Sequence, residues 1–284
     1  MMLYNGRTDL ASEARELLSP EIGEKRGILA REEEIEGLHC TAVEVISEEG
    51  AAALGKPQGK YFTLELGGHF QRGDESFEAA AQAVAELIRR CAGGRKIRRC
   101  LIAALGNPDI TPDALGSLAA SNIIVTRHLK SAAPQEFAGF IDTALCRTGV
   151  LGTTGVESAA QIRALTNMIK PELVIAIDAL AGAELERLCR CVQVSSAGIA
   201  PGSGVGNDRE ELTRASLGVP VVALGVPTVI DAGSVAEADA LRGMFVTPRN
   251  IDSAVRAAAR VIGYGVNLAL HAGLSVSDVD MLVG

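Results

Sequence analysis

The stretch RRCLIAALGNPDITPDALG, residues 98–116, decides the fold. Residues 98–106 are a short apolar run with a basic start and a glycine end, which reads as a buried strand. Gly106-Asn107-Pro108-Asp109 is turn chemistry. Thr111-Pro112-Asp113 then opens a helix, with Thr111 as N-cap, proline at the first helical position and an acid beside the positive end of the dipole. Strand, tight loop and helix make one βα unit.

The same alternation recurs along the chain. Residues 75–92, ESFEAAAQAVAELIRRCA, form an amphipathic helix with Phe77, Ala81, Val84, Leu87 and Ile88 along one face. TPDALGSLAASN continues the helix begun at Thr111, and IIVTRHL follows as strand or turn. VESAAQIRALTNMI (156–169) is a helix and ELVIAID (172–178) a strand. RCVQVSS and VPVVALGVPTVID (219–231) add strands. IDSAVRAAARVIGYGVNLAL is a helix with a break expected near Gly263 or Gly265. Before residue 75, a charged segment precedes the extended run LHCTAVEVIS, which is expected to pair with KYFTLEL (60–66). At the start, RTDLASEA offers Thr8 or Asp9 as N-cap of a short helix from Leu10 to Leu18, ended by Ser19-Pro20. The expected fold is α/β: a mixed, mostly parallel sheet with helices on both faces. No linker, repeat or low-complexity tract divides it, so one domain is expected.

Composition agrees. The 284 residues are 48% hydrophobic but only 3% aromatic, without tryptophan, so Ala, Val, Leu and Ile must build the core. A net charge of −8 argues against a general phosphate-binding surface for nucleic acid. MMLYNGR has no apolar signal region, and LVIAIDALAGA is too short and carries an acid, so neither secretion nor a membrane span is expected. The six cysteines show no framework spacing and are expected as reduced thiols, consistent with a cytoplasmic chain.

The chemistry-bearing candidates gather at strand ends. In an open α/β sheet, ligands bind beyond the carboxyl ends of the strands. If the strands at 98–105 and 172–177 are parallel, Asp113 and Asp178 share that edge. Two carboxyls in one crevice split roles, because neighbouring like charges resist double ionisation. Each acid also has a plain structural reading, Asp113 in a helix start and Asp178 as N-cap of a helix through 179–190; Asp109 is a third acid in the same loop. GIAPGSGVGND (198–208), with Gly202, Ser203 and Gly204, lacks the Lys-Ser/Thr of a P-loop and reads as a tight loop lining the crevice. RTGVLGTTGVES (147–158), with Thr154 and Gly155, presents backbone N–H groups to a substrate carbonyl or simply turns the chain. His39, His69, His128 and His271 are dispersed; His128 follows a strand reading and is the one candidate to approach the crevice. No GxSxG elbow and no HExxH occur, and no metal or other cofactor is expected.

Taken in order, RTDLASEA, GNPDITPDALG, VTRHL, TGVES, VIAIDALA, PGSGVGN, LGVPVVALGVPTVIDA, FVTP and GVNLALH resemble the germination proteases of spore-forming bacteria, from Arg7 to about His271. The resemblance implies an endopeptidase that degrades small acid-soluble spore proteins in the spore core during germination. It implies a zymogen, a homotetramer, and a fold like that of hydrogenase maturation proteases. The family's two essential aspartates fall at Asp113 and Asp178. The family cuts after an acid and before an aliphatic or aromatic residue followed by Ala-Ser-Glu, so Thr8-Asp9-Leu10-Ala11-Ser12-Glu13 implies self-cleavage between Asp9 and Leu10. Residues 1–9 are then a propeptide and residues 10–284 the peptidase domain. Arg127 or Arg147 would meet the substrate's acid. This chain departs from the family at Ser196-Ala197-Gly198-Ile199-Ala200, where an acid and a histidine are usual. It also has a short connection, Gly233 to Met244, and a short propeptide. Two alternatives stand beside this reading: a metal-assisted peptidase using the acids and His128, and a catalytically silent relative that only binds spore proteins.

Overall fold

The computed structural model describes residues 8–67, 75–202, 209–236 and 238–283. Its strands are β1 (Ile28–Ile35), β2 (Leu38–Val45), β3 (Gly59–Glu65), β4 (Arg99–Leu105), β5 (Asp142–Gly149), β6 (Leu173–Gly182), β7 (Cys191–Ser195), β8 (Val221–Asp231) and β9 (Phe245–Val246). They form one sheet in the order β1-β2-β3-β7-β8-β6-β4-β5, with β9 paired to β8. β8, β6, β4 and β5 are parallel. β1, β2, β3 and β7 form an antiparallel run that joins β8 antiparallel. The sheet is therefore mixed, and the parallel strands expected to dominate it are confined to the half that carries the two acids. The antiparallel half follows from its residues: β1 exposes Glu32 and Glu34 and buries Ile28 and Ile35, and a strand with wet positions needs no crossover helix.

The helices are α1 (Ala11–Glu16), α2 (Pro20–Lys25), α3 (Glu48–Leu54), α4 (Glu75–Ala92), α5 (Leu115–Ala120), α6 (Arg127–Ala132), α7 (Leu151–Thr154), α8 (Ser158–Ile169), α9 (Arg214–Leu217), α10 (Ala232–Val235), α11 (Ile251–Leu270) and α12 (Val276–Val283). On one face, Phe77, Val84 and Leu87 of α4 and Val255, Ile262 and Tyr264 of α11 pack on Ile102, Ile175, Ile177 and Leu224. On the other, Ile162 and Ile169 of α8 cover Leu101, Ala103, Val174 and Ala176. Beyond them on this second side, Ala11 of α1 packs with Ile28, Val43, Val45 and Tyr61.

Several local expectations are corrected. Neither Thr8 nor Asp9 caps the first helix; Leu10 is its N-cap, and the helix ends at Glu16. Thr111 is not an N-cap either: Ile110 takes that place before a 3-10 turn at Thr111–Asp113, and the Thr111 hydroxyl donates to Asp252 at 2.8 Å. IIVTRHL holds no strand, because α6 begins at Arg127 and the strand follows later as β5. β6 runs on to Gly182, so Asp178 lies within a strand and caps no helix. α11 is unbroken. A Cβ on Gly263 or Gly265 would lie 2.5 Å from Asn122 or Val84, so these glycines admit neighbours rather than bend the helix. The cysteines are free thiols.

Candidate active site

β4 and β6 are neighbours and parallel, with Ala104 opposite Ile177. Their carboxyl ends therefore deliver the 106–113 loop and Asp178 to the same edge. The loop is held back on itself: the Asn107 N–H donates to the Asp113 carboxylate at 2.8 Å, and the Thr228 hydroxyl of β8 donates to the Pro112 carbonyl at 2.7 Å. Asp113 and Asp178 line one cavity of about 480 Å³, with Arg209, Thr228, Gly149, Ser158 and Phe245 among its other walls.

The two acids differ in environment. Asp178 is 4% exposed and accepts the Ala179 N–H at 3.0 Å. Burial first, and then the charge of Asp113, hold its carboxyl well above the usual carboxylate range. Asp113 is half-buried; burial raises it as well, opposed by the Asn107 N–H and by the Arg209 charge. Of the two, Asp178 is the one held more strongly toward its protonated form. One acid and one base within one cavity is the equipment of hydrolysis by an activated water.

A peptide segment is docked against this cavity, and it is the chain's own start. The Asp9 N–H donates to the Ala181 carbonyl at 2.9 Å, and the Ala181 N–H donates to the Asp9 carboxylate at 2.9 Å. Asp9 is itself a wall residue of the cavity of Asp113 and Asp178. Leu10 is fully buried against Leu180, Cys191 and Ile199. The Glu13 carboxylate accepts the N–H groups of Ala183 at 2.8 Å and Glu184 at 3.2 Å. Arg187 fastens the following turn, donating to Ser12 at 2.9 Å and to Glu16 at 2.6 Å.

Gly202 lines the cavity; Ser203, Gly204 and His69 lie outside the described residues. Thr154 lines a different depression, with Arg147 and Pro108, and Gly155 lines neither; from the same segment it is Gly149, Val150 and Ser158 that reach the cavity. Arg127 pairs with Asp142 at 2.7 Å, and Arg147 donates to Ser121 at 2.9 Å; neither lines the cavity of Asp113 and Asp178. His128 is exposed on α6 and is not a wall residue, and Asp109 is exposed. The cations that sequence reasoning missed are Arg209, in the cavity, and Lys56, whose ammonium donates to the Thr8 carbonyl at 2.8 Å. Burial lowers the affinity of Lys56 for its proton, while the charges of Asp9 and Glu13 restore it in part. A single cation directly after the glycine-rich loop was a usable signal for Arg209; Lys56, far off in sequence, gave none. Ala200 lines a second cavity of about 200 Å³ on the Lys56 side of Asp9, and Ser196 accepts the Lys60 N–H at 3.0 Å, so the two departures sit behind the docked segment and not between the acids. Among the described residues no group of three or more His, Cys, Asp and Glu side chains has the arrangement of a metal site.

A segment of the chain thus lies beside two carboxyls at the carboxyl ends of the parallel strands. The family profile described as germination protease matches residues 7–242 of this chain. The germination protease of Caldanaerobacter subterraneus subsp. tengcongensis is 40% identical over 318 residues, covering 98% of each chain. That of Clostridium perfringens (strain ATCC 13124) is 35% identical over 325 residues, covering 98% of this chain and 99% of its own. The chain belongs to the germination protease family and has a peptidase role in spore germination. A [NiFe] hydrogenase maturation protease from Thermococcus kodakarensis KOD1 is similar over 65% of this chain and 98% of its own, at 17% identity and a TM-score of 0.39. No described helix is long and apolar enough to cross a membrane.

Proposed function

We propose that this chain is an aspartate-dependent endopeptidase, made as a zymogen that cuts itself between Asp9 and Leu10 and then degrades small acid-soluble spore proteins in the spore core. The observation that carries the reading is the chain's own Thr8–Glu13 segment, docked along β6 with Asp9 on the wall of the cavity that holds Asp113 and Asp178. In the mechanism, Asp113, less buried and beside Arg209, is the base. It takes a proton from a water whose oxygen attacks the scissile carbonyl carbon. Asp178, protonated, gives its proton to the leaving nitrogen, the C–N bond breaks, and a carboxylic acid and an amine separate. The pair then titrates as a unit, with an acid limb and an alkaline limb that belong to both groups. Residues 1–9 are the propeptide, residues 10–284 the peptidase domain, and the working form a homotetramer that binds neither nucleic acid nor membrane.

The test is intact-mass analysis of the full chain, alone and with a small acid-soluble spore protein, beside Asp113→Asn and Asp178→Asn versions and a chelator-treated sample. The expected result is loss of residues 1–9 and a single type of cut, after an acid and before aliphatic-Ala-Ser-Glu, absent in both variants and kept under chelation. Loss on chelation alone would move the chemistry to a metal-assisted route. Binding without any cut, in a chain already lacking residues 1–9, would make it a silent relative and turn attention to Ser196 and Ala200. Sedimentation equilibrium checks the tetramer.

A further inference from the structure

β7 buries all five of its residues, and one of them, Gln193, carries an amide into that environment at 7% exposure. Its position is set by register. Asp178 of β6 pairs with Gly225 of β8, and Gly225 pairs with Gln193 of β7. Paired residues on adjacent strands face the same side, so Asp178 and Gln193 rise from one face about 10 Å apart, two strand spacings of ~4.8 Å. The residue between them has no side chain, and a Cβ there would lie 2.5 Å from Leu180. The docked N-terminal segment meets this part of the sheet in extended form, with Leu10 at φ −80° and ψ 125°. Gln193 grips it on both sides of Leu10: its Nε2 donates to the Asp9 carbonyl at 3.0 Å, and its Oε1 accepts the Ala11 N–H at 2.7 Å. A carbonyl at one end and an N–H at the other fix which end of the amide is nitrogen. The carbonyl that receives the donor is that of the Asp9–Leu10 bond.

We propose that Gln193 is a catalytic residue, the donor that holds and polarises the carbonyl of the bond to be cut. The inference rests on the reading that Asp113 and Asp178 cut at Asp9–Leu10. As water adds to the Asp9 carbonyl carbon, charge gathers on its oxygen, and the Nε2–H already pointing there receives it. When the C–N bond breaks, the carbonyl re-forms within the new carboxyl group. The Oε1 contact to Ala11 keeps the segment in register through the step. An amide suits the position because it donates without charge. A lysine or arginine there would pull the Asp178 proton away by favouring its carboxylate, and the acid would be lost.

The test uses the full chain with Gln193→Met and Gln193→Glu, beside the unaltered chain and Asp178→Asn. Intact mass followed over time gives the first-order rate of self-cleavage, and thermal unfolding reports the fold. Removing one such donor slows catalysis about 10²–10³-fold, and that loss is expected for Gln193→Met at an unchanged cut position. Gln193→Glu keeps the shape and the acceptor, and its carboxyl donates only while protonated. Its rate relative to the unaltered chain is expected to climb as pH falls from about 8 toward about 5, nearer the carboxyl range, whereas the relative rate of Gln193→Met stays flat. The inference is overturned if either folded variant cuts at the unaltered rate, or if both are slowed equally at every pH in proportion to lost thermal stability. If the unaltered chain cuts, Asp178→Asn abolishes cutting and folded Gln193→Met is not slowed, this inference fails alone. If the unaltered chain never cuts, the peptidase reading of this segment fails with it. Should Gln193→Met not fold, the pH dependence of Gln193→Glu decides.

Discussion

At Gly106 the backbone runs at φ +91°, and a Cβ there would sit 2.0 Å from the Asp113 carbonyl oxygen. That close passage lets the loop after β4 fold back so that the Asn107 N–H meets the Asp113 carboxylate. Gly106→Ala would strain the backbone and push the turn outward. It is expected to cost more than about 1 kcal/mol of stability and to slow self-cleavage more than tenfold. Thr111→Ala, which loses the exposed hydrogen bond to Asp252 at a position that is not a wall residue of the cavity, is expected to change the rate by less than about 3-fold, since an exposed hydrogen bond outside the site contributes little. Thermal melts and intact-mass rates on both variants check this, and equal rates for the two would show that the turn does not set Asp113. Of the side chains at the site, the two aspartates were legible because each sits where a strand-end argument looks for an acid. Gln193 and Lys56 were not: they come from separate strands and loops, and only the register of β6, β8 and β7 and the path of residues 8–13 bring them to neighbouring carbonyls of one segment. Arg127 and Arg147 were named from loop position, but nearby Asp142 and Ser121 engage them.

Strands with uniform apolar runs, β4, β6 and β8, were legible from sequence, as was α4 with its stripe at helical spacing. β1 was hidden because REEE, residues 31–34, reads as a solvated charge run, yet an edge strand bears such residues on its open positions. β5, at the opposite edge, alternates too weakly to stand out, while IIVTRHL just before it looked more strand-like and supplied α6 instead. The end of α11 carries a consequence for pH. His271 is 2% exposed, accepts the Ile141 N–H at 3.3 Å and lies 5.1 Å from the Phe140 ring. Its Nε2 is buried with no hydrogen-bond partner among the described residues. Burial pushes its pKa down to about 4. The unfolded chain therefore takes up a proton near pH 6.5, while the folded chain stays neutral until about pH 4. Stability from this residue is complete above that window and is lost as pH falls through it. The loss is on the order of 3 kcal/mol, since a tenfold change in proton affinity is ~1.4 kcal/mol. Urea unfolding across the window is expected to show this slope, and His271→Phe to flatten it. A slope unchanged by the substitution would assign the pH dependence to other groups.

Across the whole molecule, the first described residues act as a clasp between the antiparallel and parallel halves of the sheet. Ala11 packs with Val43 and Tyr61, Leu10 with Leu180 and Cys191, and the Glu13 carboxylate takes the Ala183 and Glu184 N–H groups just past the end of β6. The bond proposed to be cut falls at the outer edge of this clasp, so removing residues 1–9 leaves the apolar contacts of Leu10 and Ala11 in place. It also creates a new charge in a buried place. Leu10 N now donates to the Thr8 hydroxyl at 3.0 Å, and that hydroxyl donates to the Glu13 carboxylate. With Thr8 gone, the α-ammonium of Leu10 stands one hydroxyl away from a carboxylate that is 3% exposed. The two are expected to pair directly, because leaving one half of a buried ion pair alone costs ~3–5 kcal/mol. A chain prepared to begin at Leu10 loses the Asp9–Ala181 hydrogen bonds and those of Lys56 to Thr8 and Gln193 to Asp9, and is expected to be less stable than the full chain by a few kcal/mol, at about 1 kcal/mol per net hydrogen bond. Glu13→Gln is expected to destabilise that shorter chain by ~2 kcal/mol more than it destabilises the full one, in line with removal of a charged partner. Urea unfolding of the four proteins gives the difference directly. Equal losses in both lengths would mean that the new terminus points into solvent, and the clasp would then hold by its apolar contacts and the β6 N–H groups alone.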